Sequence, residues 1–370
     1  MKRVLLPERA NWQQAHQEIG FDYYNLPSRD GSMYWSEGVA YEFSLKQIEQ
    51  LEDASNELHQ MCLEVAGDMI QRGHYPEYFQ IHPAAIPLIE HSWNNQAPML
   101  YGRFDFAYDG QTIKMLEYNA DTPTGLLEAS VAQWHWIEQV ENIANRDQFN
   151  SIHEKLIERW KQLYPARSRV HFVACQEAGR EDWGNLEYLM DTAFQAGLNV
   201  SELSMENIGW NGTAFVDLHQ QEIQHLFKLY PWEWIWEENF SQFLKPETEW
   251  IEPCWKMLLS NKALLIELWK RFPNHPLLLE THAYDAHAHY AGKWVRKPIL
   301  AREGANIHIL QNNVDCGAAS GSFYFDDYDK YGYVMQRWVK TPLHEGMLPT
   351  LGLWMVGDEC AGMSLREDVF

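Results

Sequence analysis

The sequence has no apolar run long enough to cross a membrane and no cysteine pattern typical of a secreted or zinc-binding protein. A transmembrane helix needs about 20 mostly apolar residues. The N-terminal stretch MKRVLLPERANW holds only a short apolar run, too short for a secretory signal. The five cysteines are scattered without a CxxC pair, so neither a disulfide framework nor a structural zinc site is expected. These absences predict a cytoplasmic protein without a membrane partner.

Positive charge is also scarce: 29 lysines and arginines stand against 52 aspartates and glutamates, for a formal net charge of −23. Binding a nucleic-acid backbone requires a basic surface, so no nucleic-acid partner is expected. An acidic surface could attract a cationic substrate such as a polyamine, although solubility alone also explains the charge. The length of 370 residues predicts two or three packed sub-domains.

Apolar periodicity and turn signals divide the first half of the chain into two segments. Residues 1–95 are predicted to be helical, because leucines and isoleucines recur at helical spacing from Ser44 to Arg72. Residues 96–165 are predicted to hold a hairpin, with Asp109-Gly110 as its turn signal. A helix is expected to begin at Asp121-Thr122-Pro123, since proline favours the first helical turn.

The second half predicts an α+β arrangement. Residues 166–255 read as a small α/β sub-domain, because a buried strand, an acidic helix at 181–196 and a second strand form a β-α-β unit. Residues 256–370 hold a predicted helix at 262–271 and strands that are expected to be antiparallel. These strands are predicted at 294–299, 307–310, 334–339 and 351–356.

The hairpin window YGRFDFAYDGQTIKMLEYNAD concentrates charged residues at alternate positions. Arg103 and Asp105 share one strand face, and Glu117 and Asn119 share a face of the partner strand. Oxygen ligands of this kind suit Mg²⁺ held with substrate phosphates, and an arginine suits charge on a transferring phosphoryl group. The alternative is a solvated strand face with an incidental ion pair.

Strand register decides between these interpretations. A two-residue loop at Asp109-Gly110 would pair Asp105 with Lys114 and turn Glu117 to the wrong side. An odd-length loop, or a bulge at Gly110, would place all four polar side chains on one face. The metal hypothesis therefore requires an irregular hairpin.

Several motifs in order resemble the synthetase half of glutathionylspermidine synthetase and trypanothione synthetase. They are RFDF…DG…LEYNADTPT, EPCWKMLLSNKALLIELWKRFPNH at 252–275, VRKPILAREGANI at 295–307, the Gln336-Arg337-Trp338 strand, and GMSLRED at 362–368. The resemblance runs from about Tyr34 to the end and is weak over 165–250. It implies an ATP-grasp fold with a permuted order of motifs, a small α/β pre-ATP-grasp sub-domain, a helical N-terminal segment and no amidase domain.

The resemblance also implies roles for individual residues. Asp105, Glu117 and Asn119 would bind two Mg²⁺ ions, and Arg103 would be the catalytic residue that stabilises the transferring phosphoryl group. The residues assigned to ATP are Arg103, Asp105, Lys262, Lys297, Arg302, Gly304, Ala305, Gln336 and Arg366. The two lysines would contact phosphates, the Gly-Ala pair would form a flexible phosphate loop, and the glutamine would lie near the adenine. A lone lysine is ordinarily a solvated charge, so only this order supports the assignment.

Four further residues fall where the family binds its substrates. Thr122 and Thr124 would lie near the acid and Glu181 and Asp182 near the amine. The alternatives are simple helix capping for the threonines and helix-dipole compensation for the acidic pair. Leu229 stands about where the family has a threonine near the acid, which puts glutathione itself in question.

The function predicted from these features is an ATP- and Mg-dependent ligase. It would join a carboxylic acid, peptide-like and glutathione-like, to an amine such as a polyamine through an acyl phosphate. A phosphotransferase acting on a small molecule through the same Mg-ATP site is the alternative enzyme. A non-catalytic nucleotide-binding protein is the third reading, and the intact set of hairpin side chains argues against it.

Overall fold

The structure, a computed structural model, describes the chain apart from residues 27–32, 142, 144–145, 320–321, 323 and 370. The α-helices are α1 Trp12–Glu18, α2 Leu45–Arg72, α3 Ile86–Asn94, α4 Gln133–Gln139, α5 Ile152–Leu163, α6 Arg180–Gln195, α7 Trp232–Ile235, α8 Met257–Ser260 and α9 Leu264–Arg271. The strands are β1 Lys2–Leu5, β2 Val39–Glu42, β3 Tyr101–Tyr108, β4 Ile113–Asn119, β5 Arg169–Ala174, β6 Asn199–Ser204, β7 Gly209–Trp210, β8 Phe215–Val216, β9 His225–Leu229, β10 Glu249–Ile251, β11 Thr281–Ala283, β12 Lys293–Pro298, β13 His308–Gln311, β14 Val314–Ala318, β15 Tyr333–Arg337, β16 Met347–Val356 and β17 Glu359–Val369.

Three larger sheets organise the described residues. One has the order β17-β16-β3-β4 and is antiparallel throughout. A second has the order β11-β15-β12-β13-β14 and is also antiparallel. The third, β10-β9-β5-β6, is parallel, and α6 makes the crossover between β5 and β6. The predicted β-α-β unit and the antiparallel strands of the last third are therefore confirmed.

Helix α2 backs the sheet that contains the predicted hairpin. Ser44 caps it through a capping box with Gln47, and Gly73 ends it in the left-handed conformation. Its buried face belongs to the same core as Phe104 and Phe106, which are fully buried. Because side chains alternate along a strand, the polar residues of β3 face away from α2.

Two details of the predicted elements were wrong. The helical segment expected at Asp121 begins only at Leu126, because Gly125 takes a φ of 87° and interrupts the backbone. Its first N–H is satisfied by Asn185 Oδ1 at 2.8 Å, so Thr122 and Thr124 do not cap it. Lys262 precedes α9 instead of lying in it, since that helix begins at Leu264.

The predicted segments interlock in space. The segment 1–95 contains the paired strands β1 and β2 besides its helices. The hairpin β3–β4 of segment 96–165 shares a sheet with β16 and β17 of segment 256–370. The four-way division of the chain stays a prediction. Among the described residues, no helix is long and apolar enough to span a membrane.

Candidate active site

The hairpin β3–β4 contains the irregularity that the metal hypothesis requires. Asp105 lies opposite Glu117, but Phe106 lies opposite Met115, so Leu116 is an extra residue, a β-bulge. The bulge brings Arg103, Asp105, Glu117 and Asn119 onto one face, as predicted. Its position was wrong, however, because Tyr108 pairs with Ile113 across a loop of even length, and the register shifts within β4 instead of at Gly110.

Arg103 is held in place by contacts on several sides. Its Nε donates to Asp105 Oδ1 at 2.9 Å and its Nη1 donates to the carbonyl of Thr124 at 2.6 Å. The guanidinium also lies over the ring of Trp354, with Cζ 5.5 Å from the centroid. Gly352 makes room on the neighbouring strand, since a Cβ there would lie 3.0 Å from Arg103 Cδ. The side chain is therefore oriented before any substrate binds.

Lys262 meets the hairpin from a distant part of the sequence. Its ammonium lies 3.2 Å from Glu117 Oε2 and donates to the carbonyl of Ala301 at 2.9 Å. Burial opposes ionisation of Glu117, but the charges of Lys262 and Lys297 outweigh burial and hold the pKa of this carboxyl below its usual range. Glu117 is therefore a carboxylate at neutral pH.

Lys297 and Gln336 lie side by side on β12 and β15. Lys297 Nζ donates to Gln336 Oε1 at 2.7 Å and to the carbonyl of Leu116 at 3.2 Å, and Gln336 Nε2 donates to the carbonyl of Met115 at 3.2 Å. Burial is the main reason that the pKa of Lys297 falls to about 8, with Lys262 lowering it further and Glu117 opposing the shift.

The remaining predicted phosphate contacts lie around the same hairpin. Arg366, on β17, forms an ion pair with Asp105 Oδ2. Arg302 donates to Thr122 Oγ1 and stacks over Trp234, with its Cζ 5.1 Å from the ring centroid. Gly304 follows with a φ of 70°, a conformation that favours glycine.

The two residues predicted to bind the amine, Glu181 and Asp182, form an acidic pair in the cleft. Glu181 and Asp182 occupy the first turn of α6, and burial raises the pKa of each carboxyl. A hydrogen bond from Thr124 partly offsets this effect on the pKa of Glu181. For Asp182, the charge of Arg302 does the same.

Most of these residues line one cleft of 2520 Å³. Those of the predicted set that line it are Arg103, Asp105, Glu117, Asn119, Thr122, Thr124, Glu181, Asp182, Lys297, Arg302, Gly304, Gln336 and Arg366. Lys262 reaches the cleft through its contact with Glu117. Ala305 does not line it, because the residue is fully buried and its N–H is bonded to the carbonyl of Arg302.

Comparison with known proteins identifies the family. The model described as "Glutathionylspermidine synthase preATP-grasp" matches residues 3–369. The chain belongs to this family. A Haemophilus influenzae protein named "Putative acid--amine ligase" is 51% identical over 376 residues, which cover 100% of this chain and 95% of that protein. Trypanothione synthetase of Crithidia fasciculata is 26% identical over 401 residues, which cover 97% of this chain and 59% of that enzyme.

A solved structure supports the fold. A glutathione synthetase-like effector from Globodera pallida matches with a TM-score of 0.61 and 9% identity, covering 99% of this chain and 97% of that one. The mixed α/β fold is therefore glutathione synthetase-like. The glutathionylspermidine synthase family comprises acid–amine ligases, so the chain belongs to a family of amide-bond-forming enzymes.

Sequence reasoning missed several charged residues in the cleft of this family member. Asp121, Glu128 and Glu233 line it beside the predicted residues. Asp121 is buried and accepts from Lys228 Nζ at 2.5 Å and from the backbone N–H of Trp232 at 3.0 Å. Asp121 lies inside the motif LEYNADTPT, which was the available signal, whereas nothing local marks the other two.

The donor set at the bulge fits the magnesium that the family implies. Asp105 and Glu117 supply carboxylate oxygens and Asn119 a carboxamide oxygen, which are hard ligands of the kind Mg²⁺ prefers. Asp105 is already paired with Arg366 and Glu117 with Lys262, so Mg²⁺ would bind carboxylates that these cations partly neutralise. In the part of the chain that the structure describes, no three His, Cys, Asp or Glu side chains form a metal-binding group. Mg²⁺ commonly completes its shell with water and phosphate oxygens instead.

Proposed function

We propose that the protein is an ATP- and Mg-dependent ligase that joins a carboxylic acid to an amine through an acyl phosphate, on an ATP-grasp fold with a permuted order of motifs. One observation carries the proposal: two lysines from late in the chain meet strand β4 of the early hairpin, Lys262 through the carboxylate of Glu117 and Lys297 through the carbonyl of Leu116. Membership of an acid–amine ligase family agrees with it.

The hairpin side of the cleft suits a polyphosphate. The phosphates of ATP would be neutralised by Lys262, Lys297, Arg302 and Arg366. Gly304 would let the backbone approach these phosphates closely. Mg²⁺ held by the hairpin carboxylates and amide would offset charge on the phosphate oxygens. Arg103 would donate to the phosphoryl group as it passes between oxygens, where its contacts with Asp105 and Thr124 hold it ready.

The part of the cleft around Thr122, Thr124 and the start of α6 suits two small substrates. Thr122 and Thr124 would orient the acid, because their loop adjoins Asn119 at the end of β4 and the backbone of Thr124 already contacts Arg103. Glu181 and Asp182 would receive a cationic amine such as a polyamine. We propose a peptide-like acid, although Leu229 is buried where the family has a threonine, so any acid contact made by that hydroxyl is absent here.

The chemistry then follows in two balanced steps. The acid carboxylate attacks the γ-phosphorus, and ADP leaves with the electron pair of the broken P–O bond. The amine nitrogen attacks the acyl carbon, phosphate leaves, and the nitrogen loses a proton as the amide forms. Positioning and charge stabilisation supply the catalysis, since the acyl phosphate is already a strong electrophile.

ADP release measured against a panel of carboxylates and amines tests this function. Glutathione with spermidine is the first pair to try, and mass spectrometry identifies the product. A ligase releases ADP in the steady state only when both substrates are present, and an amide appears. Steady-state ADP release with an acid alone, unchanged by every amine, would favour the phosphotransferase. ATP binding without turnover for the whole panel would favour a non-catalytic protein.

A further inference from the structure

The β-bulge at Leu116, which brings the proposed metal ligands onto one face of the hairpin, is stabilised by hydrogen bonds from outside the sheet. Strand β4 is the last strand of its sheet, so its outer edge has no neighbouring strand in that sheet to satisfy its backbone groups. Leu116 is the extra residue, and an extra residue leaves the strand ladder locally unpaired. Something other than the ladder must therefore satisfy the carbonyl groups at this point.

Side chains of the second sheet supply those hydrogen bonds. Lys297 Nζ donates to the carbonyl of Leu116 at 3.2 Å, and Gln336 Nε2 donates to the carbonyl of the preceding residue, Met115, at 3.2 Å. The two side chains are also bonded to each other at 2.7 Å. Lys297 is 6% exposed and Gln336 1% exposed, so water cannot easily replace either donor.

The pairing register of β3 and β4 shows which side-chain orientations depend on these hydrogen bonds. If Leu116 were not bulged, the pairing of Phe106 with Met115 would continue and Leu116 would lie opposite Asp105. Glu117 would then face the core side of the sheet, away from Asp105. The orientation of two of the three metal-ligand candidates, Glu117 and Asn119, thus depends on the bulge.

We propose that Lys297 and Gln336 are positioning residues for the metal site, because they hold the Leu116 bulge and thereby orient Glu117 and Asn119. This role is additional to the ATP contacts proposed above, and it rests on the proposed metal site. Lys297 and Gln336 would act on the metal ligands indirectly, through their hydrogen bonds to the backbone carbonyls of Leu116 and Met115.

Mn²⁺ binding to the full chain without nucleotide, followed by electron paramagnetic resonance, tests the proposal. Gln336→Met keeps the charge and approximate volume but removes both the donor to Met115 and the acceptor for Lys297. We expect at least about three- to tenfold weaker Mn²⁺ binding, the scale on which a buried hydrogen bond contributes. The control is Lys114→Met. Lys114 lies on the same strand before the bulge and donates to the carbonyls of Pro276 and Leu278, so its loss should leave Mn²⁺ affinity unchanged.

Metal affinity alone cannot test the role of Lys297, so a second measurement is used. In Lys297→Met, loss of the hydrogen bond weakens metal binding while loss of a nearby positive charge strengthens it. This variant is therefore compared with Gln336→Met, which removes no charge, by hydrogen exchange of the 113–120 segment in metal-free protein. We expect faster exchange in Lys297→Met and Gln336→Met, and nearly wild-type exchange in Lys297→Arg, whose guanidinium still donates. The Lys114→Met control should not change exchange at Glu117.

The outcomes distinguish failure of the proposed positioning role from failure of the proposed function. Unchanged Mn²⁺ affinity in Gln336→Met, or unchanged exchange in both donor variants, would overturn the positioning role while leaving the proposed function intact. A wild-type chain that binds no Mn²⁺ either alone or with ATP would overturn the metal site and with it the proposed function. If Gln336→Met fails to fold, exchange in Lys297→Met against Lys297→Arg decides the question.

Discussion

The ammonium of Lys228 lies 2.5 Å from Oδ1 of Asp121, and both side chains are almost completely buried. Lys228 belongs to β9 of the parallel sheet, whereas Asp121 directly precedes the threonines proposed for the acid substrate. The ion pair therefore fastens the substrate loop to a different sheet from the one that carries Asp105 and Glu117.

Breaking this pair should cost stability. Lys228→Met leaves the carboxylate of Asp121 buried without its counter-charge, and we expect the free energy of unfolding to fall by about 3–5 kcal/mol. Lys228→Met combined with Asp121→Asn should recover part of that loss, since no charge is then stranded. Denaturant unfolding of the single and double variants measures both values. A double variant as unstable as the sum of the single changes would argue against direct coupling.

Alanine substitutions of Glu117 and Arg103 should have different effects on nucleotide binding and on kcat. Glu117→Ala removes a proposed ligand of ground-state Mg-ATP, so nucleotide binding and turnover should both weaken. Arg103→Ala should lower kcat by roughly 10²–10³, with a smaller effect on the KM for ATP, because its donor acts where charge moves. Calorimetric binding of ATP with Mg²⁺, and steady-state kinetics once a substrate pair is known, make the comparison. An unaltered kcat in Arg103→Ala would remove the arginine from the mechanism.

Glu128 should make stability fall as pH rises. Burial, and then the charge of Glu181, raise the pKa of Glu128 to about 7 from an ordinary value near 4.5. Between these values the folded chain binds more protons than the unfolded chain, so this contribution to stability is full below pH 4.5 and lost as pH rises through 7.

The matched variant is Glu128→Gln. Relative to wild type it should gain roughly 2 kcal/mol between pH 5 and pH 8, because its amide does not titrate. Unfolding curves of both proteins at several pH values give this difference directly. A difference that stays constant with pH would show that Glu128 titrates normally.

Glu181 should matter for the amine and little for ATP. Glu181→Gln removes a carboxyl group from the half-buried acidic pair at the start of α6, and the KM for the amine should rise roughly 10- to 100-fold, as for loss of a hydrogen bond to a charged group. Glu187→Gln is the control, because Glu187 lies on the same helix but is half exposed and bonded to Arg180. Equal effects of the two substitutions on the amine KM would argue against a specific amine contact.

Elements with local signals were predictable from the sequence. The α2 helix follows from apolar spacing between Ser44 and Gly73, and the hairpin from alternation around Asp109-Gly110. The family follows from motifs in order, each of which is a short local string. The start of the helix at Leu126 was missed, because the proline signal at Pro123 is followed by Gly125, which takes a φ of 87° that the proline does not predict.

The sequence by itself determined which polar groups the hairpin contributes to the cleft, because Arg103, Asp105, Glu117 and Asn119 lie within one hairpin motif. The tertiary structure alone decided how those groups point. The bulge at Leu116 depends on donors from Lys297 and Gln336, and the ionisation of Glu117 on Lys262. These partners come from other sheets and distant segments, and local periodicity holds no information about which distant side chain satisfies a given backbone carbonyl or charge.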